Sequence, residues 1–178
     1  ESGVSGIYST IDSTKFFFYA QKDGENTLRI NLGPEPDSLD PALGTSLEGG
    51  LLTSNSFSGL YEYNAEGVMA PVLAERYEVS DDGLIYTFTL KDGLKWADGS
   101  DLTAQDFVYS WKRAAYSKTG SEYSYMMDMI AGYDEAQAGD ADALQVSAPD
   151  EKTIVVHLNA PCAYFLNLTG FSTYKPVK

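Results

Sequence analysis

At 178 residues, 43% hydrophobic and 21% charged, the chain holds enough apolar material for one ordinary domain and is not a disordered polymer. Its 12 lysines and arginines against 26 aspartates and glutamates give a net charge of −14, the wrong sign for a face that grips nucleic acid or anionic lipid. A single cysteine, Cys162, excludes an internal disulfide framework, and no apolar run reaches the roughly 18 residues of a membrane span.

In chain order, residues 1–26 begin Ser/Gly-rich and then carry Phe16-Phe17-Phe18-Tyr19. After the turn signal Asp23-Gly24, residues 27–32 alternate with period two, so the two runs are expected to pair as one hairpin. Prolines and glycines make 33–47 a loop, and 48–58 a short helix weakened by Gly49 and Gly50. Residues 60–63 read as a strand turned by 64–67, and Pro71 as the opening of a brief helix to Arg76. The strand 84–90 puts Leu84, Tyr86, Phe88 and Leu90 on one face.

Thr103-Ala104-Gln105-Asp106 has a hydroxyl at the N-cap and a carboxylate three residues on, a helix start. Phe107, Val108, Trp111, Ala114 and Ala115 follow at helical spacing. Further helical patches are expected at 123–130 and 133–138, and a strand at 153–158. The pattern is α+β, with hairpins flanked by helices.

Catalytic chemistry finds little to stand on. The one histidine, His157, lies inside an alternating strand, and Cys162 follows Pro161 before an apolar stretch, where a buried small hydrophobe is the simpler reading. The acidic pairs Asp81-Asp82 and Asp140-Ala141-Asp142 lack a calcium-loop pattern, and no glycine-rich phosphate loop occurs.

One stretch is more specific. Lys91-Asp92-Gly93-Leu94-Lys95-Trp96-Ala97-Asp98-Gly99 precedes Leu102-Thr103-Ala104-Gln105-Asp106-Phe107-Val108-Tyr109-Ser110-Trp111, with Glu35-Pro36-Asp37-Ser38-Leu39-Asp40-Pro41 upstream and Ala131-Gly132-Tyr133-Asp134-Glu135-Ala136 downstream. In that order the motifs resemble the family 5 extracellular solute-binding proteins, the oligopeptide- and dipeptide-binding group, over residues 27–178.

The resemblance implies an α+β fragment of the periplasmic-binding-protein-like (type II) fold, with antiparallel or mixed hairpins and flanking helices. Residues 27–58 would open the main first lobe, 59–178 would form an extra α+β subdomain, and 1–26 lie outside the match. It implies capture of extracellular peptides between two lobes by main-chain hydrogen bonds. Thr45, Ser46 and Leu47 are then the ligand-binding loop, and Tyr123, with Tyr125 as the alternative, lines the cleft. No bond is made or broken, and no cofactor or metal is implied. The partners implied are a peptide or other small solute and a membrane ABC permease, with no nucleic acid, for a monomeric, extracytoplasmic and lipid-anchored full-length protein. The family's chains continue through a second lobe, so the sequence is expected to be the early part of a longer one. Two alternatives remain: a different solute (nickel chelate, haem or sugar), and a protein–protein interaction module.

Overall fold

The computed structural model describes the backbone of residues 7–11, 14–18, 20–22 and 28–178, and side chains from residue 31 onward. The chain forms two compact units, one ending at Pro36 and one running from Asp37 to Lys178.

In the first unit, β1 (Ile7–Ile11) pairs antiparallel with β2 (Thr14–Phe18), and β3 (Ala20–Lys22) with β4 (Leu28–Ile30). The expected single hairpin is therefore corrected to two. Phe16, Phe17 and Phe18 stand opposite Ser9, Tyr8 and Ile7, while Leu28–Ile30 takes Ala20–Lys22. The earlier strand is only a short turn away from the phenylalanines, and a short loop closes at the lower entropic cost. Tyr19 and the Asp23-Gly24 turn lie outside the described residues.

The second unit opens with a loop into α1 (Leu47–Ser56), then a hairpin of β5 (Tyr61–Tyr63) and β6 (Met69–Pro71). Asn64 shapes that turn, its side-chain oxygen accepting the N–H groups of Glu66 and Val68. The brief helix expected from Pro71 does not form. Pro71 ends β6, and Ala74–Val79 is strand β7, paired with β8 (Ile85–Leu90). Pairing of five of the six residues of β7 with β8 overrides the helix-opening preference of one proline.

Strands β7 and β8 join β9 (Val146–Ser147) and β10 (Thr153–His157) in a four-stranded antiparallel sheet of order β7-β8-β10-β9. From Ile85 to Leu90 the alternation read in the sequence is the burial pattern, while Leu84 lies before the strand and is only partly buried. Tyr86, Phe88 and Leu90 are buried, and Ile85, Thr87 and Thr89 are partly exposed. Ile154 and Val156 extend the buried face across β10.

Against this sheet packs α2 (Ala104–Ala115), whose Phe107, Trp111, Ala114 and Ala115 are fully buried. Its start is held by Asp106, whose carboxylate accepts from the Thr103 N–H (2.7 Å) and hydroxyl (3.2 Å). The segment expected as a helix over 123–130 forms only a 3-10 turn at Ser124–Met127, because Ile130 straightens to bridge Leu158. Two short helices follow, α3 (Tyr133–Ala138) and α4 (Phe165–Leu168).

The closing residues, given no role by the sequence, complete the core. A 3-10 turn at Ser172–Tyr174 inserts Tyr174, which is fully buried. The Trp111 indole N–H donates to the Tyr174 carbonyl (2.7 Å), and the Tyr174 hydroxyl donates to the Met126 carbonyl (2.7 Å). Lys175 is buried too. Its ammonium donates to the Phe57 carbonyl (2.9 Å) and lies 3.4 Å from Glu62.

Candidate functional site

Thr45, Ser46 and Leu47 are brought together at the entry to α1. Ser46 caps the helix: its hydroxyl oxygen accepts from the Gly49 N–H (3.0 Å), and its backbone is extended at φ −77°, ψ 156°. Thr45 and Leu47 are exposed, and Leu39 stands exposed on the same loop.

The group that organises the loop is Asp37, which the sequence reading passed over as part of a motif. The Thr45 N–H and hydroxyl each donate to Asp37 Oδ2 at 2.7 Å. Asp37 Oδ1 accepts from the Ser46 hydroxyl (2.6 Å), the Ser46 N–H (3.2 Å) and the Ser38 N–H (2.9 Å). The hydroxyls of Ser46 and Thr45, then the Thr45 N–H, favour the ionised form and hold the Asp37 carboxyl well below the usual carboxylate range. Nothing local in the sequence announces this. An aspartate after a proline reads as a turn residue, and its partners lie eight and nine positions downstream.

A second aspartate pins the other half of the loop. The Asp40 carbonyl accepts from the N–H groups of Leu43 (3.0 Å) and Gly44 (2.9 Å), and Asp40 Oδ1 accepts from the Ala42 N–H (3.0 Å). Arg113 of α2 grips the same carboxylate through both terminal nitrogens. Burial pushes the Asp40 carboxyl up, but the Arg113 hydrogen bond, the Ala42 N–H and the Arg113 charge together hold it below its ordinary value.

These pins decide which main-chain groups the loop presents. The N–H groups of Thr45 and Ser46 are spent on Asp37, and the Ser46 carbonyl accepts from the Gly50 N–H (3.0 Å). Among the described residues, the Thr45 carbonyl and the Leu47 N–H have no hydrogen-bond partner. Flanking an extended residue, they form the acceptor–donor pair to which one residue of a parallel strand bonds.

Tyr123 sits on a different element, at the head of the Ser124–Met127 turn, which packs on α2. Half-buried, its ring meets Phe171 edge-on at 5.3 Å between centroids and lies 6.2 Å from the ring of Tyr125. Tyr125 is the more open of the two, at 52% exposure. Among the described residues no hydrogen bond or ring contact joins either tyrosine to Thr45-Ser46-Leu47. What the two regions share is α2, which carries Arg113 to the loop and supports the tyrosine turn.

The residues weighed for catalysis sit apart from this arrangement. His157 is exposed on β10, and Cys162 is buried and free, with its backbone carbonyl accepting from the Tyr86 hydroxyl (3.1 Å). Among the described residues no group of three or more His, Cys, Asp or Glu side chains is placed to hold a metal ion. An apolar recess of about 350 Å³ between Phe57, Leu73, Trp96, Leu102 and Pro176 contains none of the four expected ligand residues. No described helix is long and apolar enough to cross a membrane.

The family model described as "Bacterial extracellular solute-binding proteins, family 5 Middle" matches residues 68–178. The oligopeptide-binding protein OppA of Bacillus subtilis is 42% identical over 156 residues, covering 86% of this chain and 29% of that protein. The solved structure of the Escherichia coli murein tripeptide binding protein MppA aligns with a TM-score of 0.76 at 38% identity, over 81% of this chain and 29% of the other. Haemophilus influenzae OppA in complex with RPPGFSPFR aligns with a TM-score of 0.80 at 29% identity, over 83% of this chain and 30% of the other. The chain thus spans under a third of the length of these relatives.

Proposed function

We infer from one premise, that this chain belongs to family 5 of the bacterial extracellular solute-binding proteins, a role in the capture of peptides outside the cytoplasm. Its helices and antiparallel sheets are part of the periplasmic-binding-protein fold of its structural neighbours. In this reading residues 27–58 open the main first lobe and 59–178 form its α+β subdomain. The chain supplies one wall of a cleft whose other wall belongs to a second lobe, and a peptide lies extended between them.

The observation that supports this most is the pair of unpartnered main-chain groups on either side of Ser46. A ligand residue lying parallel to the loop would donate its N–H to the Thr45 carbonyl and accept from the Leu47 N–H. Such bonds read the ligand's backbone and are indifferent to its side chains, which suits a carrier of varied peptides. Tyr123 or Tyr125 would give a ligand side chain an aromatic wall.

Closure of the lobes is a hinge motion, and delivery to a membrane ABC permease follows it, with no chemical change to the cargo. The full-length protein is a lipid-anchored monomer in this account. The 178-residue chain by itself offers only part of the burial a ligand needs, so it binds weakly. Calorimetry against a library of tri- to pentapeptides tests the reading in a protein of the relatives' full length that carries this sequence. Saturable binding across varied side chains is expected. Failure to bind any peptide, with a non-peptide solute found by mass spectrometry in the purified protein, would overturn it.

A further inference from the structure

The segment that meets ligand in the preceding reading is short, exposed and held by one side chain from outside it. We propose that Asp37 is a positioning residue for ligand capture: its carboxylate fixes Thr45-Ser46-Leu47 in the binding conformation before ligand arrives, and selects which main-chain groups the segment offers. The proposal rests on that reading for the identity of the ligand segment.

The geometry assigns this role in three ways. First, the carboxylate takes five hydrogen bonds, four of them from Thr45 and Ser46. An ionised carboxylate has about four lone-pair sites, so Asp37 is saturated by this loop and has nothing left to offer a ligand. Second, the Ser46 N–H and the Thr45 carbonyl belong to one trans peptide unit and point in opposite directions, so drawing that N–H to Asp37 turns the carbonyl away from the carboxylate. With the Thr45 and Ser46 N–H groups spent, the segment presents one acceptor and one donor two residues apart. Third, Ser46 is locked in the extended state by contacts on both sides. Its hydroxyl donates to Asp37 and accepts from the Gly49 N–H, and the Asp37 N–H approaches the same oxygen at 3.4 Å.

Gly49 is what allows the clamp to close. A Cβ at that position would stand 2.8 Å from the Ser38 carbonyl oxygen and 3.0 Å from both Asp37 Oδ1 and the Ser46 hydroxyl oxygen. The glycine that weakens α1 on propensity grounds is thus where the helix start meets the carboxylate. The clamp is also separable from the rest of the loop, because Asp40 and Arg113 hold residues 40–44 independently. It is built at the surface, with Asp37 and Thr45 both exposed, and buries no apolar side chain. Its effect is to remove conformations the segment would have to give up on binding, which is how preorganisation raises affinity.

Amide exchange on the 178-residue chain tests the clamp without any ligand. Asp37→Ala should speed exchange at the Thr45 and Ser46 amides by about tenfold or more, with the β8–β10 ladder unchanged. Asp37→Asn keeps one acceptor oxygen, so it should release one of the two amides and hold the other. In the protein of the relatives' length, Asp37→Ala should weaken binding of the tri- to pentapeptide library by about tenfold, with Asp37→Asn intermediate and the melting temperature held. Unchanged exchange at Thr45 and Ser46 would overturn the clamp. Faster exchange with unchanged affinity would overturn the positioning role. A wild-type protein that binds no peptide would sink the underlying reading and the positioning role with it, whereas the exchange result would stand on its own.

Discussion

Replacing Gly132 by alanine should be among the most damaging single changes in the second unit. Gly132 precedes α3 with φ at +82°, and an added Cβ would lie 1.9 Å from the Ala143 carbonyl oxygen and 2.6 Å from its carbon. Relief needs roughly 1 Å or more of backbone displacement, judged from ordinary contact distances. Neither side is free to move. Ala143 leads into the buried Leu144, and the Gln145 N–H donates to the Ala131 carbonyl at 2.8 Å. The left-handed backbone costs an alanine about 1–2 kcal/mol, and overpacking adds about 1–3 kcal/mol. A suitable control is Gly67→Ala, where φ is +73° but nothing lies within 4 Å of the added carbon. Urea unfolding of the two variants separates the contributions. Gly132→Ala should lose about 2–5 kcal/mol and Gly67→Ala about 1–2 kcal/mol. Equal losses would refute the steric argument.

Trp111→Phe should cost about 2–4 kcal/mol in the same assay, since it shrinks a fully buried ring and leaves the Tyr174 carbonyl without its donor; a loss under about 1 kcal/mol would show that the closing turn is not held this way. Asp40 has a folded-state pKa below its ordinary value, so its contribution is present above about pH 4 and is lost as pH falls through the folded value. Acid titration followed by circular dichroism should therefore show a shallower loss below about pH 4 for Asp40→Asn than for the unaltered chain, and identical profiles would remove the Arg113–Asp40 pair from the account. Tyr123→Ala should weaken peptide binding in a protein of the relatives' full length that carries this sequence by about tenfold while Tyr125→Ala does little, because an edge-on ring holds Tyr123 in place; the reverse order would move the aromatic wall to Tyr125.

What could be read from the sequence was whatever is written in periodicity or in a cap. The alternation of residues 85–90 is the burial of β8, and Thr103 with Asp106 marks the first turn of α2. What failed was set by pairing between neighbouring runs that local preferences misread, and by partners far along the chain. Pro71 reads as a helix opener by its own preference, yet 74–79 pairs with β8 just across the turn at 80–84, and that pairing prevails. Phe16–Phe18 pairs with β1 because that run is the nearer in sequence, a choice the Asp23-Gly24 turn signal pointed away from. Tyr174 and Lys175 look like a polar tail, yet they meet Trp111 and Phe57, separated from them by 63 and 118 positions. The candidate site divides along the same line. Motif order led to Thr45, Ser46, Leu47 and Tyr123, whereas Asp37, which sets the loop's shape, emerges only when residues eight and nine places apart are seen together.

The most direct measurement is a crystal structure, with a bound tripeptide, of a protein of the relatives' full length that carries this sequence. The account predicts one ligand residue donating its N–H to the Thr45 carbonyl and accepting from the Leu47 N–H, with Asp37 still turned inward. A peptide seated elsewhere, or an Asp37 carboxylate that swings out to meet it, would contradict the account at its centre.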